Sequence, residues 1–105
     1  MQSEITINRA QFSIGSRVCH KLLGYRGVVL DVDASFKFPK ELAKDVAGSD
    51  RPWYHVLVHD TNRLTYVSEQ SLNLDASGDE IENPAVDILF TRDSTGHYQH
   101  RRNLQ

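Results

Sequence analysis

The stretch from Trp53 to Ser68 constrains the fold of this chain more than any other. Trp53–Asp60 reads Trp-Tyr-His-Val-Leu-Val-His-Asp. Successive side chains of an extended strand point to opposite faces, so Trp53, His55, Leu57 and His59 share one face and Tyr54, Val56, Val58 and Asp60 the other. The second set is the expected core face. Asp60-Thr61-Asn62-Arg63 has the composition of a hairpin turn, and Leu64–Ser68, Leu-Thr-Tyr-Val-Ser, reads as the returning strand.

The flanking segments extend this pattern. Ser16–Lys21 alternates as a first strand, following the turn at Gly15-Ser16. Tyr25–Asp33, with Val28, Val29, Leu30 and Val32, is the next, and Gly24 suits a tight connection between the two. Gly27 inside that strand suggests the bulge or sharp bend that a small barrel needs in order to close. Glu69–Leu72 reads as a helical turn, with Leu72 and Leu74 plugging the barrel end. The expected fold is therefore mainly β: a small, strongly bent antiparallel SH3-like barrel with one or two short helices.

Three segments fall outside the strands. Residues 34–52 form a long loop or a short helix, with Pro39 in its first turn, Leu42, Ala43 and Val46 on one face and Gly48 at its end. Residues 75–83 are acidic and turn-rich, as in a linker. Asn83 then caps a short helix over residues 84–92, with Pro84 at its first position and Val86, Leu89 and Phe90 as its apolar stripe, Ile88 beside them. Asp93-Ser94-Thr95-Gly96 ends that helix, and His97–Arg102 is a last strand or an arm. Residues 1–11 are expected to be an N-terminal arm, 12–100 a single domain and 101–105 a frayed tail.

Composition excludes several classes. With tyrosine left out and glycine counted in, about 41% of the 105 residues are apolar, below the usual ~45–50%, so the core is thin. No apolar run approaches the ~20 residues of a membrane span, and residues 1–15 lack the pattern of a signal peptide. The expected location is the cytoplasm, with no membrane partner. One cysteine, Cys19, excludes an internal disulfide and a cysteine-based zinc site.

Catalytic and metal chemistry find little support. His55 and His59 have the spacing of a zinc pair on a helix, but on a strand they stand roughly 13 Å apart. His97 and His100 are no better placed in an arm. Cys19 and His20 are strand neighbours on opposite faces, so they form no nucleophile–base pair, and Cys19 reads as a small core residue. Asp31 and Asp33 share a strand face, with a polar strand end as their ordinary role. No phosphate-binding glycine loop, nucleophile elbow or catalytic carboxylate pair is present. No catalytic residue, metal or cofactor is expected.

Binding is the better-supported class. Tyr25, Trp53, Tyr54 and Tyr66 are candidates for one exposed aromatic surface, although Trp53 and Tyr54 also suit the core. Aromatics on such a rim anchor peptides and stack on bases alike. The expected partner-binding set is Tyr25, Arg26, Trp53, His55 and Tyr66. Arg17, Lys21, Lys37, Lys40 and Lys44, with Arg26, are candidates for a local basic face, and the first five are the expected nucleic-acid contacts. The net charge is −2 and unevenly spread. Residues 53–93 hold two bases and eight acids, whereas 36–52 hold four bases and three acids.

Four segments together resemble a known family. They are Phe12-Ser-Ile-Gly-Ser-Arg-Val-Cys-His20, Leu22-Leu-Gly-Tyr-Arg-Gly-Val-Val-Leu-Asp-Val-Asp33, Trp53-Tyr-His-Val-Leu-Val58 and Tyr66-Val-Ser-Glu-Gln-Ser-Leu72. They resemble the HspQ heat-shock proteins, which belong to the YccV-like or hemimethylated-DNA-binding-like domain family. The resemblance covers residues 12–74 and extends to the helix and Gly-His-Tyr tail within 84–100.

It implies a bent antiparallel barrel in the bacterial cytoplasm, self-association as a dimer or trimer, and no catalytic residues. It further implies a stress-response role in the degradation of denatured or unstable proteins, including the replication initiator, as substrate and specificity-enhancing factor of the Lon protease. The same family is linked to hemimethylated DNA. A DNA binder needs basic density, which the acidic 53–93 segment opposes. A protease adaptor needs a docking surface, for which residues 1–11, the acidic linker and the 94–105 tail are candidates, so the proteolysis role is favoured and DNA binding is the alternative.

Overall fold

A computed structural model describes residues 9–101, and for Lys40 the backbone alone. The chain forms β1 (Arg17–His20), β2 (Arg26–Asp33), β3 (Trp53–Val58), β4 (Leu64–Ser68), β5 (Leu72–Leu74), α1 (Pro84–Leu89), β6 (Phe90–Arg92) and β7 (Tyr98–His100). Two 3-10 turns, Lys40–Asp45 and Glu69–Ser71, connect strands. β1 to β5 build one antiparallel sheet in the order β4-β3-β2-β1-β5, and β6 pairs with β7 in a separate two-stranded sheet.

The sheet is open, and this corrects the expected SH3-like barrel. β4 and β5 are its two edges and do not pair with each other. β5 is only three residues long and places those residues against β1, from Val18↔Leu74 to His20↔Leu72. The mainly-β architecture with short helices stands. The faces of the sheet are covered by other segments rather than by closure.

Each face carries its own core. Phe12, Val18, Val29, Tyr54, Val56, Val67 and Leu72 pack on one side. Val28, Leu57, Ile81, Val86, Phe90 and Tyr98 pack on the other. This double burial explains the unbroken apolar runs Val28-Val29 and Val56-Leu57-Val58, all at most 7% exposed. Leu57 lies on the face expected to meet solvent and is 4% exposed, because α1 and the β6–β7 hairpin cover that end. Each such side chain taken from water contributes roughly 1.5–3 kcal/mol.

The register holds one irregularity. Val29 faces Val56 and Asp31 faces His55, so Leu30 is the extra residue of a bulge. The bulge expected at Gly27 therefore lies three residues further on. Gly27 serves close approach instead: a Cβ there would stand 2.5 Å from both the Leu57 carbonyl oxygen and Val56 Cγ1.

Other boundaries differ from the periodicity. Leu72 and Leu74 form β5 rather than a plug; Leu72 is buried and Leu74 is 64% exposed. The segment around Pro39 gives a 3-10 turn with Leu42 half in water, not a helix with an apolar face. The helix expected over 84–92 ends at Leu89, where Phe90–Arg92 becomes β6, and Asp93–Gly96 is the β6–β7 turn. Ile88, placed beside the stripe, is 70% exposed. Cys19, expected in the core, is only half-buried.

Residues 75–83 have no regular structure but are tied to the sheet. Arg26 binds Asp75 and the Asp79 carbonyl, Asp60 N–H donates to Glu82, and Ile81 N–H donates to the Tyr98 phenol. Of the expected arm, residues 1–8 lie outside the described residues, as do 102–105 of the expected frayed tail.

Candidate functional site

The half of the Leu57 face that α1 leaves uncovered holds the most chemistry-bearing side chains. On β3, Trp53 and His55 point to this side, and Tyr66 of β4 stands directly opposite His55. The bulge at Leu30 brings Asp31 opposite His55 and Asp33 opposite Trp53. Rings and carboxylates thus meet on one patch. His55 and Tyr66 have centroids 4.7 Å apart, and Trp53 and Tyr66 5.2 Å. The Tyr66 hydroxyl donates to Asp33 Oδ2 at 2.8 Å, and His55 Nε2 lies 3.2 Å from the same oxygen. Burial and then the bond to Asp33 push the Tyr66 phenol up to about 12.

The 34–52 loop lies against this patch. Phe36 packs edge-on against Trp53 at 4.9 Å, and Phe38 edge-on against Tyr66 at 5.6 Å. Lys37 N–H donates to the Tyr66 hydroxyl at 3.0 Å, and Trp53 Nε1–H donates to the Gly48 carbonyl at 3.0 Å. The strand residues therefore act as a floor that holds the loop in one shape.

Of the expected partner-binding set, Trp53, His55 and Tyr66 come together here. Tyr25 does not join them. It packs on the opposite face against the core of Val18 and Tyr54, with its hydroxyl 2.9 Å from Thr65 Oγ1. Arg26 is at the far end of β2, held by Asp75 at 2.8 Å. Tyr54 follows its alternative reading as a core residue: it is fully buried, donates to Glu69 at 2.5 Å and accepts from Phe12 N–H. Trp53 is half-buried.

The basic candidates divide. Arg17 donates to the Gly96 carbonyl and stacks over Tyr98 at 5.9 Å, so it serves the packing of the β6–β7 hairpin. Lys37 and Lys44 are exposed on the 34–52 loop, and the Lys40 side chain lies outside the described residues. Lys21 is exposed and lines a groove of about 450 Å³ together with Arg51 and the buried Glu69. Phe36, Phe38 and Arg51 were missed by sequence reasoning. The signal available was two phenylalanines flanking a lysine inside a polar insertion.

The acids of 53–93 gather elsewhere. Asp60, Glu80, Glu82 and Asp87 line a groove of about 1060 Å³ around α1 and β6, with Arg92 and Arg101 among them. None of these four acids touches the aromatic patch. Half of the eight acids of 53–93 thus lie at a different part of the molecule, while Asp31 and Asp33 remain on the patch itself.

Reactive groups are few. Cys19 Sγ is 3.9 Å from the Leu74 carbonyl, and His20 Nδ1 accepts the N–H groups of Leu22 and Leu23, so the two form no catalytic pair. His59 Nδ1 accepts from Glu82 N–H, while His55 is engaged with Asp33. Asp31, Asp33 and His55 have potential ligand atoms within 4.8 Å of one another, but Asp33 already accepts from Tyr66 and pairs with His55.

The site is thus an open sheet with rings and lysines on a stapled loop, and no nucleophile–base pair is found there among the described residues. The family model described as hemimethylated DNA-binding protein YccV like matches residues 10–97. The chain belongs to this YccV-like, or HspQ, family, as the resemblance in residues 12–74 implied. Members of the family are non-catalytic, and this protein is not an enzyme. Among the described residues no helix is long and apolar enough to cross a membrane.

Proposed function

We propose that this protein binds DNA, with hemimethylated duplex as its preferred target, in the bacterial cytoplasm. The observation that carries this reading is the match of residues 10–97 to a family described by that activity. Two features of the surface support it. Lys37, Lys44 and the exposed Phe38 ring share one loop, and Asp60, Glu80, Glu82 and Asp87 are gathered around α1 rather than beside it. Titration of duplexes methylated on one, both or neither strand, across a salt series, tests it. The expected result is tightest binding to the hemimethylated duplex, with a log–log salt slope of about −2 to −4. Equal, salt-insensitive binding of all three would reject it.

A second reading is a non-enzymatic stress-response factor that promotes degradation of unstable proteins, as substrate and specificity-enhancing partner of a Lon-type protease. Leu22 and Leu23, 85% and 70% exposed at the β1–β2 turn, favour it, since a protease that recognises exposed apolar segments finds one there. Reconstituted degradation of an unstable substrate, with and without this protein, checks it; unchanged rates and no binding to the protease would sink it. Self-association as a dimer or trimer is compatible with either reading, because among the described residues β4 and β5 are the two edges of the sheet.

A further inference from the structure

The 34–52 loop carries the most exposed ring of the aromatic patch. Phe38 is 59% exposed although its ring rests edge-on against Tyr66. Both arms of the loop are stapled to the sheet. On one arm Lys37 N–H sits on the Tyr66 hydroxyl, which is itself anchored on Asp33. On the other, the Gly48 carbonyl sits on Trp53 Nε1, and Phe36 N–H donates to the Ser49 carbonyl at 2.9 Å, tying the arms together. An apolar ring is thereby held in water and ordered before any partner arrives, which lowers the cost of using it in recognition. Lys37 and Lys44 stand exposed on the same loop, with the exposed Glu41, Asp45 and Asp50 further along it, so Lys37 is the charge that directly adjoins Phe38.

A partner that engages Phe38 together with Lys37 and Lys44 offers one small apolar group with negative charges to either side of it. A methylated base in duplex DNA does so: the methyl group stands on the base edge, and phosphates run along both sides of the groove. We propose that Phe38 contacts the methyl group, while Lys37 and Lys44 bind the flanking phosphates. This inference rests on the DNA-binding reading and names the residue that would distinguish a methylated site from an unmethylated one.

The test compares affinities for hemimethylated and unmethylated duplexes of one sequence, for the wild type, Phe38→Ala, Phe38→Leu and Lys37→Ala. Phe38→Ala is expected to lose about fourfold of the preference, the worth of one buried methyl group, while its affinity for unmethylated duplex changes little. Phe38→Leu keeps an apolar tip and retains part of the preference. Lys37→Ala weakens both complexes equally and reduces the salt slope by about 1. Should Phe38→Ala not fold, Phe38→Gln carries the same expectation, with circular dichroism as the check on folding. A folded Phe38 variant without the apolar ring that keeps the wild-type preference overturns the inference and leaves the DNA reading standing. Wild-type protein that binds both duplexes alike, or neither, overturns the DNA reading and this inference together.

Discussion

At the scale of single residues, Gly27 and Tyr66 show how local identity serves packing. Gly27 faces Val58 across the β2–β3 ladder, where any Cβ would collide with the Leu57 carbonyl oxygen and Val56 Cγ1. The backbone must then move in the most heavily buried strand pair. Gly27→Ala is expected to cost about 1–3 kcal/mol, read as a lower urea midpoint at unchanged slope. Tyr66 is held protonated by burial and by its bond to Asp33, with its phenol pushed up to about 12. A folded pKa above the unfolded value gives stability that is complete below pH ~10 and lost as pH rises through the folded pKa. Alkaline titration at the phenolate absorbance band should show a late step that shrinks in Tyr66→Phe.

At the scale of elements, α1 is the clearest case of a segment made stable by its neighbours. A six-residue helix has almost no stability of its own. Asn83 secures it from both directions. Its side-chain oxygen accepts from Ala85 N–H at 3.0 Å, and its amide nitrogen donates to the Val58 and Arg63 carbonyls at 2.9 and 3.2 Å. One residue therefore caps the helix and bolts it to the β3–β4 hairpin. Asn83→Ala removes the cap and one of two donors to each carbonyl, which keep Thr61 Oγ1 and Val58 N–H, so a loss of about 1–2 kcal/mol is expected in chemical denaturation. The cap and Pro84 were legible as sequence. The second function was not, because it needs Val58 and Arg63 brought close from a distant part of the chain.

At the scale of the whole molecule, long-range polar ties decide how the layers join. Arg26 binds Asp75 at 2.8 Å and fastens the 75–83 segment across the end of the sheet. Burial alone would push the Asp75 carboxyl up. The N–H of Ser77, the Arg26 guanidinium and the Ser77 hydroxyl together hold it below the usual carboxylate range. A depressed folded pKa means that the stabilisation is complete above the unfolded value near ~4 and is lost as pH falls through the folded one. Thermal melts of the wild type should therefore fall as pH drops below ~4. Asp75→Asn should start less stable at neutral pH and show a shallower fall in that window. A parallel pH dependence in both proteins would count against this role for Asp75.

The sequence alone was enough to locate β1 to β4, the hairpin at Asp60–Arg63, Tyr54 on the core side of β3 and the Asn83 cap, but not β5 or β6. Each of these follows from a two-residue alternation or from the chemistry of a single turn, which act over a few neighbouring residues. Only the tertiary structure decided that the sheet stays open, that α1 and the β6–β7 hairpin cover Leu57 while the 34–52 loop lies against Trp53, and that Phe38 stands out there. Pairing of β5 with β1 and coverage by α1 depend on contacts between residues far apart in the chain, and alternation carries no information about them. One extra residue, Leu30, was enough to set which side Asp31 and Asp33 share with the rings, since a single-residue bulge reverses every later side chain of a strand.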